Sequence, residues 1–269
     1  MNLLVILTVL CYSAACGGYV AFLSTGRKNF GRAASLLLAV GLLLHFLAQL
    51  QRSGWGASPP YQDLYGSFSL FAWLVAVTYL GLEVFHRERS VGALVMPVVL
   101  IVFVVSAALV PSEPVRVPAQ GPLLVLHITL NVLGYAAFAL SFVLSVIYLI
   151  QNRLLRDHRV RSLIWRFPAL EVLERMSRSS VAVGLVSLTL GVGFGLFWFN
   201  RLEGTYWNGD PKQIITLLVL AVYAGYLWLG RSAAWRGARA SALCVVNFLV
   251  VLFSYSVVNL YLSGFHRFF

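Results

Sequence analysis

The chain has 269 residues, of which 60% are apolar and only 11% are charged. A soluble globular domain has about 25% charged residues, so this composition excludes that class and predicts an integral membrane protein. The formal net charge is +11, but the basic residues lie in short segments beside apolar runs, where membrane lipid is the expected partner and nucleic acid is not.

Eight apolar runs are long enough to cross a bilayer, whose core of about 30 Å needs on the order of 20 apolar residues per helix. In chain order they cover residues 2–23, 33–50, 64–82, 91–110, 123–150, 181–199, 213–229 and 240–262. A helix satisfies its own backbone hydrogen bonds in lipid. The predicted fold class is therefore all-α, a polytopic membrane protein with a bundle of eight transmembrane helices in a single domain over residues 1–269.

The positions of Lys and Arg predict the orientation of this bundle. Most of the 20 basic residues follow runs one, three, five and seven. The positive-inside rule assigns those segments to the cytoplasm and both chain termini to the outer side. The first run has no preceding Lys or Arg, so we expect a retained helix and not a cleaved signal peptide.

The polar segment over residues 151–180 is the longest one between two runs. Its stretch RSLIWRFPALEVLERMSRSS alternates basic residues with apolar ones. This pattern predicts an amphipathic helix on the cytoplasmic membrane interface, with Pro168 starting a new turn. A docking surface for a soluble partner is the alternative.

Three of the five histidines fall on the predicted outer side. His127 opens run five, His266 follows run eight, and His45 lies inside run two, in LLLHFLAQL. An ionisable group at membrane depth is a candidate functional residue, because burying it without a partner costs several kcal/mol. For His45 the alternative is a neutral imidazole that is hydrogen-bonded to a neighbouring helix.

The stretch GTYWNGDPKQ, residues 204–213, is a polar segment on the same outer side. Asp210 as N-cap, Pro211 at the first helical position and Gln213 in a capping box would start the next helix. Tyr206 and Trp207 would also suit the membrane interface as anchors. These structural roles explain each residue separately, but they do not explain the two outer histidines.

Haem would explain the whole set jointly. Tyr206 and Trp207 offer faces for stacking, while Lys212 and Arg201 can pair with propionates and Asp210 completes the polar rim. This rim predicts that a flat, dianionic ligand binds at the outer end of the bundle.

Two outer imidazoles can ligate the haem iron. None of the methionines is placed to do so, so the expected axial pair is His127 and His266. Asn131 and Tyr135 follow His127 at helical spacing and can orient its ring. The three cysteines form no CxxCH motif, so the predicted haem is b-type and bound non-covalently.

Three stretches carry a resemblance to a known family. They are FPALEVLERMSRSSVAVGLVSLTLGVGFGLFW, GTYWNGDPKQIITLLVLAVYAGYL and SYSVVNLYLSGFH. In order and spacing they are similar to the second half of the cytochrome c assembly family of membrane haem-handling proteins, of CcsA, CcmC and HemX type. The resemblance implies that the loop around Trp207 cradles haem between His127 and His266, and that His45 is the family's membrane histidine.

The chain departs from the family pattern at four positions. Glu203 and Gly209 stand where the loop usually has tryptophan, Gln213 replaces an acidic residue, and Trp228 stands where a second membrane histidine is common. With its length and eight helices the chain looks similar to the short HemX-type branch.

The resemblance implies a function in haem handling. We expect a protein of the bacterial inner membrane that binds, presents or translocates haem at the outer face for cytochrome c maturation. Its expected partners are apocytochrome c or a ResB/CcsB-type membrane protein, and it would contribute positioning with no catalytic residue of its own. One alternative is a HemX-like regulator that acts on a cytoplasmic enzyme of haem synthesis. Another is a small-solute or ion transporter without haem.

Overall fold

The computed structural model describes residues 3–54, 61, 63–108, 121–156, 167–207 and 209–257. These parts of the chain contain eight α-helices and no strand. The helices are α1 (Leu3–Thr25), α2 (Lys28–Arg52), α3 (Leu64–His86), α4 (Gly92–Ala108), α5 (Pro122–Arg156), α6 (Leu170–Glu203), α7 (Pro211–Leu229) and α8 (Ala238–Val257), with a 3₁₀ helix at Ala233–Trp235.

The all-α fold class is confirmed. Six of these helices are long and apolar enough to cross a membrane, and α4 and α8 are shorter apolar helices. The protein is therefore a polytopic, helical membrane protein. The orientation of its termini stays a prediction.

The largest difference from the sequence expectation concerns residues 170–180. The amphipathic pattern predicts that they belong to a separate interfacial helix, but they form the first three turns of α6, which continues without interruption to Glu203. Leu173, Met176, Ser177 and Ser180 are buried, so the inner face of the amphipathic pattern packs on protein and not on the membrane surface. The preceding residues 157–166 lie outside the described ranges.

The chain divides into two compact units, one within residues 1–116 and 153–173 and the other within residues 117–152 and 174–269. The single domain stays a prediction. In the first unit, α1 packs on α2 and α4, and α3 packs on the same two helices. The first four helices thus form the core of this unit.

A buried carboxylate joins the helices of the first unit. Glu83 on α3 is 2% exposed, and its Oε2 accepts hydrogen bonds from the hydroxyls of Tyr19 at 2.5 Å and Tyr79 at 2.8 Å. Its Oε1 accepts from Ser35 and lies 3.5 Å from Nε of Arg89. Because an unpaired buried charge is costly, these partners are what allows an acidic residue among apolar helices. Hydropathy alone does not reveal Glu83.

The second unit is built on a close approach of α5 and α6. A Cβ on Gly184 would lie 2.5 Å from Phe138, and a Cβ on Gly134 would lie 3.0 Å from Cβ of Leu188. Small residues at such positions let the backbones of membrane helices come together. Further along, Ser141 and Ser177 are hydrogen-bonded at 2.8 Å. The two helices run antiparallel, so each step forward on α5 is matched by a step back on α6.

Candidate functional site

A cavity of about 390 Å³ lies in the second unit, between α5, α6 and α7. This volume is in the range of small-molecule and cofactor pockets. Its lining is mostly apolar and aromatic, with a few polar side chains. The residues that matter below are His127, Asn131, Tyr135, Gly195, Trp198, Trp207, Lys212 and Gln213.

His127 reaches this cavity from the first turns of α5 and is held by α6. Its Nδ1 lies 2.8 Å from the carbonyl oxygen of Gly191. A carbonyl only accepts, so Nδ1 carries the proton and donates it, which leaves the lone pair of the neutral ring on Nε2. The amide nitrogen of Asn131 lies 3.1 Å from Nδ1 and 3.3 Å from Nε2. A metal-binding histidine usually has this arrangement, with its second ring nitrogen bonded to a carbonyl or carboxylate.

Two glycines of α6 provide the space for these side chains. A Cβ on Gly195 would lie 2.3 Å from Nδ1 and 2.4 Å from Cε1 of His127. A Cβ on Gly191 would lie 2.7 Å from Oδ1 of Asn131. The pairs continue the antiparallel register of Gly134 and Gly184, so the helix packing that forms the second unit also fixes the imidazole.

Two buried polar atoms of the lining have no hydrogen-bond partner within the described part of the chain. They are Oδ1 of Asn131 and Oε1 of Gln213. Buried polar atoms are normally satisfied, and Oδ1 of Asn131 lies against Gly191 of α6. Gln213 consequently does not close the predicted capping box.

The loop between α6 and α7 contributes Trp207 to the lining of the cavity. Gly204 ends α6 with φ +70°, and its N–H donates to the carbonyl of Asn200 at 2.9 Å. Thr205 Oγ1 donates to the carbonyl of Trp207 at 3.1 Å. Trp207 lines the cavity while 47% of it stays exposed. A ligand in the cavity could therefore cover the indole.

The structure brings three of the predicted binding residues together, namely His127, Trp207 and Lys212. Asp210 caps α7, because its Oδ1 accepts from the N–H of Lys212 at 2.8 Å and its side chain is buried. The predicted N-cap is thus confirmed.

Tyr206 and Arg201 are close in sequence to residues that line the cavity, but they do not line it themselves. Tyr206 is exposed and meets Phe197 edge-on at 6.3 Å between ring centroids. Arg201 is exposed in the last turn of α6. His266 lies outside the described ranges, so its place beside His127 stays a prediction.

Comparison with known proteins identifies the family. Residues 61–266 match the family model described as cytochrome C assembly protein. The chain belongs to this family. The match contains α5 to α8 and therefore the whole lining of the cavity.

The chain is also similar to individual proteins named cytochrome c biogenesis protein CcsA. That of Chlamydomonas reinhardtii is 30% identical over 241 residues, which cover 87% of this chain and 67% of the relative. That of Synechococcus sp. (strain CC9605) is 29% identical over 276 residues, covering 93% and 90%. That of Guillardia theta is 28% identical over 229 residues, covering 78% and 76%.

Gly209 of the same loop has a backbone conformation that suits glycine. Gly209 has φ +75°, a left-handed conformation that favours glycine and is costly for a tryptophan. Glycine therefore adopts this conformation without the strain that a side chain would bring. Trp207 is the tryptophan of this loop that lines the cavity.

His45 belongs to the first unit and to the part of the chain before the family match. Its ring is fully buried, with Nδ1 3.1 Å from the hydroxyl of Tyr12 and Nε2 2.9 Å from Oγ of Ser69. Phe103 packs against the ring at 4.1 Å between centroids. Both ring nitrogens are thus hydrogen-bonded, as in the alternative of a neutral core histidine.

Proposed function

We propose that this protein binds haem in the cavity between α5, α6 and α7 and presents it during cytochrome c maturation. The observation that carries the proposal is the place of His127, which lines the cavity with its Nδ1 2.8 Å from the carbonyl oxygen of Gly191. A neutral ring that donates from Nδ1 keeps its lone pair on Nε2. The family and the name shared by the CcsA relatives support the same process.

The residues that line the cavity suit such a ligand. Nε2 of His127 would ligate the iron in place of its 3.3 Å contact with Asn131. Trp207 would cover one face of the porphyrin, since it lines the cavity and is about half exposed. The ammonium of Lys212 would pair with a propionate. Gly195 keeps a β-carbon out of the space that the imidazole needs.

The second axial ligand in this proposal is His266, with Tyr206, Arg201 and Asp210 at the rim. The haem is b-type and held without a covalent bond. The bound haem would be the group that becomes attached to the thiols of an apocytochrome. The protein itself binds it, orients it and limits its contact with water.

The cellular setting belongs to the same proposal. The protein would act at the outer face of a bacterial inner membrane, with apocytochrome c or a ResB/CcsB-type membrane protein as its partner. The multi-pass helical fold and the family support this setting.

The test is the visible spectrum of the full chain purified in detergent from haem-replete cells. We expect a Soret band that falls by about tenfold or more in the His127→Ala/His266→Ala double variant. His86→Ala, at the end of α3 in the first unit, is the control and should keep the band. An unchanged band in the double variant, or no band in the unaltered protein, would refute haem binding at this site.

A further inference from the structure

The second unit has another recess between α6 and α7, towards the opposite ends of these helices. It has a volume of about 530 Å³ and is lined in part by Arg178, Ala182, Leu185, Trp228 and Arg231. Along the axis of α6, Arg178 and Gly195 are roughly 25 Å apart, at 1.5 Å per residue. This basic groove is therefore separate from the cavity at His127, and nearly the thickness of a bilayer core lies between the two.

Arg178 is positioned by the end of α7. Its Nη1 donates to the carbonyl of Gly230 at 2.5 Å and its Nη2 donates to that of Leu227 at 3.3 Å. A Cβ on Gly230 would lie 3.2 Å from Nη1, so glycine leaves room for the guanidinium. Since a guanidinium has five N–H donors, Arg178 keeps donors for a ligand while its orientation is already fixed.

Two arginines, Arg178 and Arg231, give the groove its positive charge. Neither Arg178 nor Arg231 forms a salt bridge within the residues that the structure describes. Glu174, the acidic residue nearest in sequence, accepts a hydrogen bond from the N–H of Gly237 at 2.9 Å. Arg231 is exposed, Arg236 follows it in the connection to α8, and Arg239 lies in the first turn of α8. A monoanionic or dianionic group therefore fits here.

The walls of the groove select the kind of anion. Ala182, Leu185 and Ala224 lie on helices that are apolar and long enough to cross a membrane, and Trp228 is 68% exposed beside them. Exposed tryptophan is typical of the headgroup level of a bilayer. A ligand with both an anionic head and an apolar chain satisfies the arginines and the walls together, whereas a soluble phosphate satisfies only the arginines.

We propose that this groove is a binding site for one anionic phospholipid. The phosphate lies between Arg178 and Arg231 and accepts hydrogen bonds from both guanidinium groups. One acyl chain lies along Ala182 and Leu185, with Trp228 at the level of the glycerol. Basic recesses between membrane helices commonly bind such headgroups.

Native mass spectrometry of the full chain in detergent tests this site. The probes are dioleoyl phosphatidylglycerol and dioleoyl phosphatidylcholine, which share their chains and differ in headgroup charge. We expect the unaltered protein to retain one phosphatidylglycerol in preference to phosphatidylcholine. Arg231→Gln should lower that retention about fivefold, as expected for one basic residue at a membrane surface.

The controls separate this site from general charge and from haem binding. Arg236→Gln removes the same charge from the same connection but does not line the groove, so retention should stay unchanged. His127→Ala should leave retention unchanged as well, whatever it does to the Soret band. Equal retention of both lipids, an Arg231→Gln variant like the unaltered protein, or displacement of the lipid by inorganic phosphate alone would overturn the proposal.

Discussion

The imidazole of His127 occupies space that a β-carbon on Gly195 would enter, with 2.3 Å between that position and Nδ1. This is far below a van der Waals contact, so the imidazole and an added methyl group cannot both keep these positions. We therefore expect Gly195→Ala to displace the imidazole and to weaken haem binding about tenfold, the lower end of the effect of losing a group that orients a metal ligand. Haem titration of the purified variant measures this.

Gly193→Ala is the matched control for that substitution. It lies two residues away on α6, and a Cβ there meets nothing within 4 Å. Alanine should stabilise the helix by about 0.5–1 kcal/mol and leave haem affinity unchanged. Equal haem affinity in the two variants would show that Gly195 is not needed to leave space for the ring of His127.

The helices could be predicted from sequence because the free energy of transfer into lipid is a property of each residue. The register between helices could not, since it depends on which side chains meet. Helical spacing correctly suggested that Asn131 lies beside His127, but the Gly191 carbonyl is 64 residues away and becomes a neighbour only when α5 packs on α6. The G-x-x-x-G spacing of Gly191 and Gly195 was the signal that could have indicated this face.

Two other features show what a pattern leaves open. The amphipathic pattern around Leu173 and Met176 suits either a membrane surface or a protein core, and both side chains are buried in protein. Glu83 is one acidic residue at the end of an apolar run, so hydropathy does not single it out. Its partners Tyr19, Tyr79 and Ser35 lie on three different helices, and only the folded structure brings them together. Both outcomes depend on tertiary partners that one sequence does not show.

The indole ring of Trp207 should contribute to haem affinity by stacking on the porphyrin. Aromatic contacts are worth about 0.5–1.5 kcal/mol beyond their buried area, so we expect Trp207→Ala to weaken haem binding by roughly twofold to tenfold. Titration of haem into the apoprotein gives the dissociation constant. Trp235→Ala is the control, because Trp235 is similarly exposed, at 41%, in the 3₁₀ helix and does not line the cavity. An equal loss in both variants would count against the indole as a haem contact.

Asp210 has two possible roles that one experiment can separate: it caps α7, or it contacts haem at the rim of the cavity. Its Oδ1 caps α7 through the N–H of Lys212, so Asp210→Ala should lower the free energy of unfolding by about 1 kcal/mol. Asp210→Asn keeps an acceptor oxygen and should retain most of the stability. Thermal melting and the Soret band are measured on the same samples. A loss of haem without a change in melting would place the carboxylate at the rim instead.

His45 should act through the packing of the first unit. In His45→Ala, the hydroxyls of Tyr12 and Ser69 lose the imidazole that lies 3.1 and 2.9 Å away, and a cavity opens against Phe103. Together these effects should lower the free energy of unfolding by about 2–4 kcal/mol, seen as a lower melting temperature in detergent. The Soret band per folded molecule should remain, and His86→Ala should change neither quantity. The opposite result, normal melting with the band lost, would make His45 the haem-binding membrane histidine that the family resemblance implies.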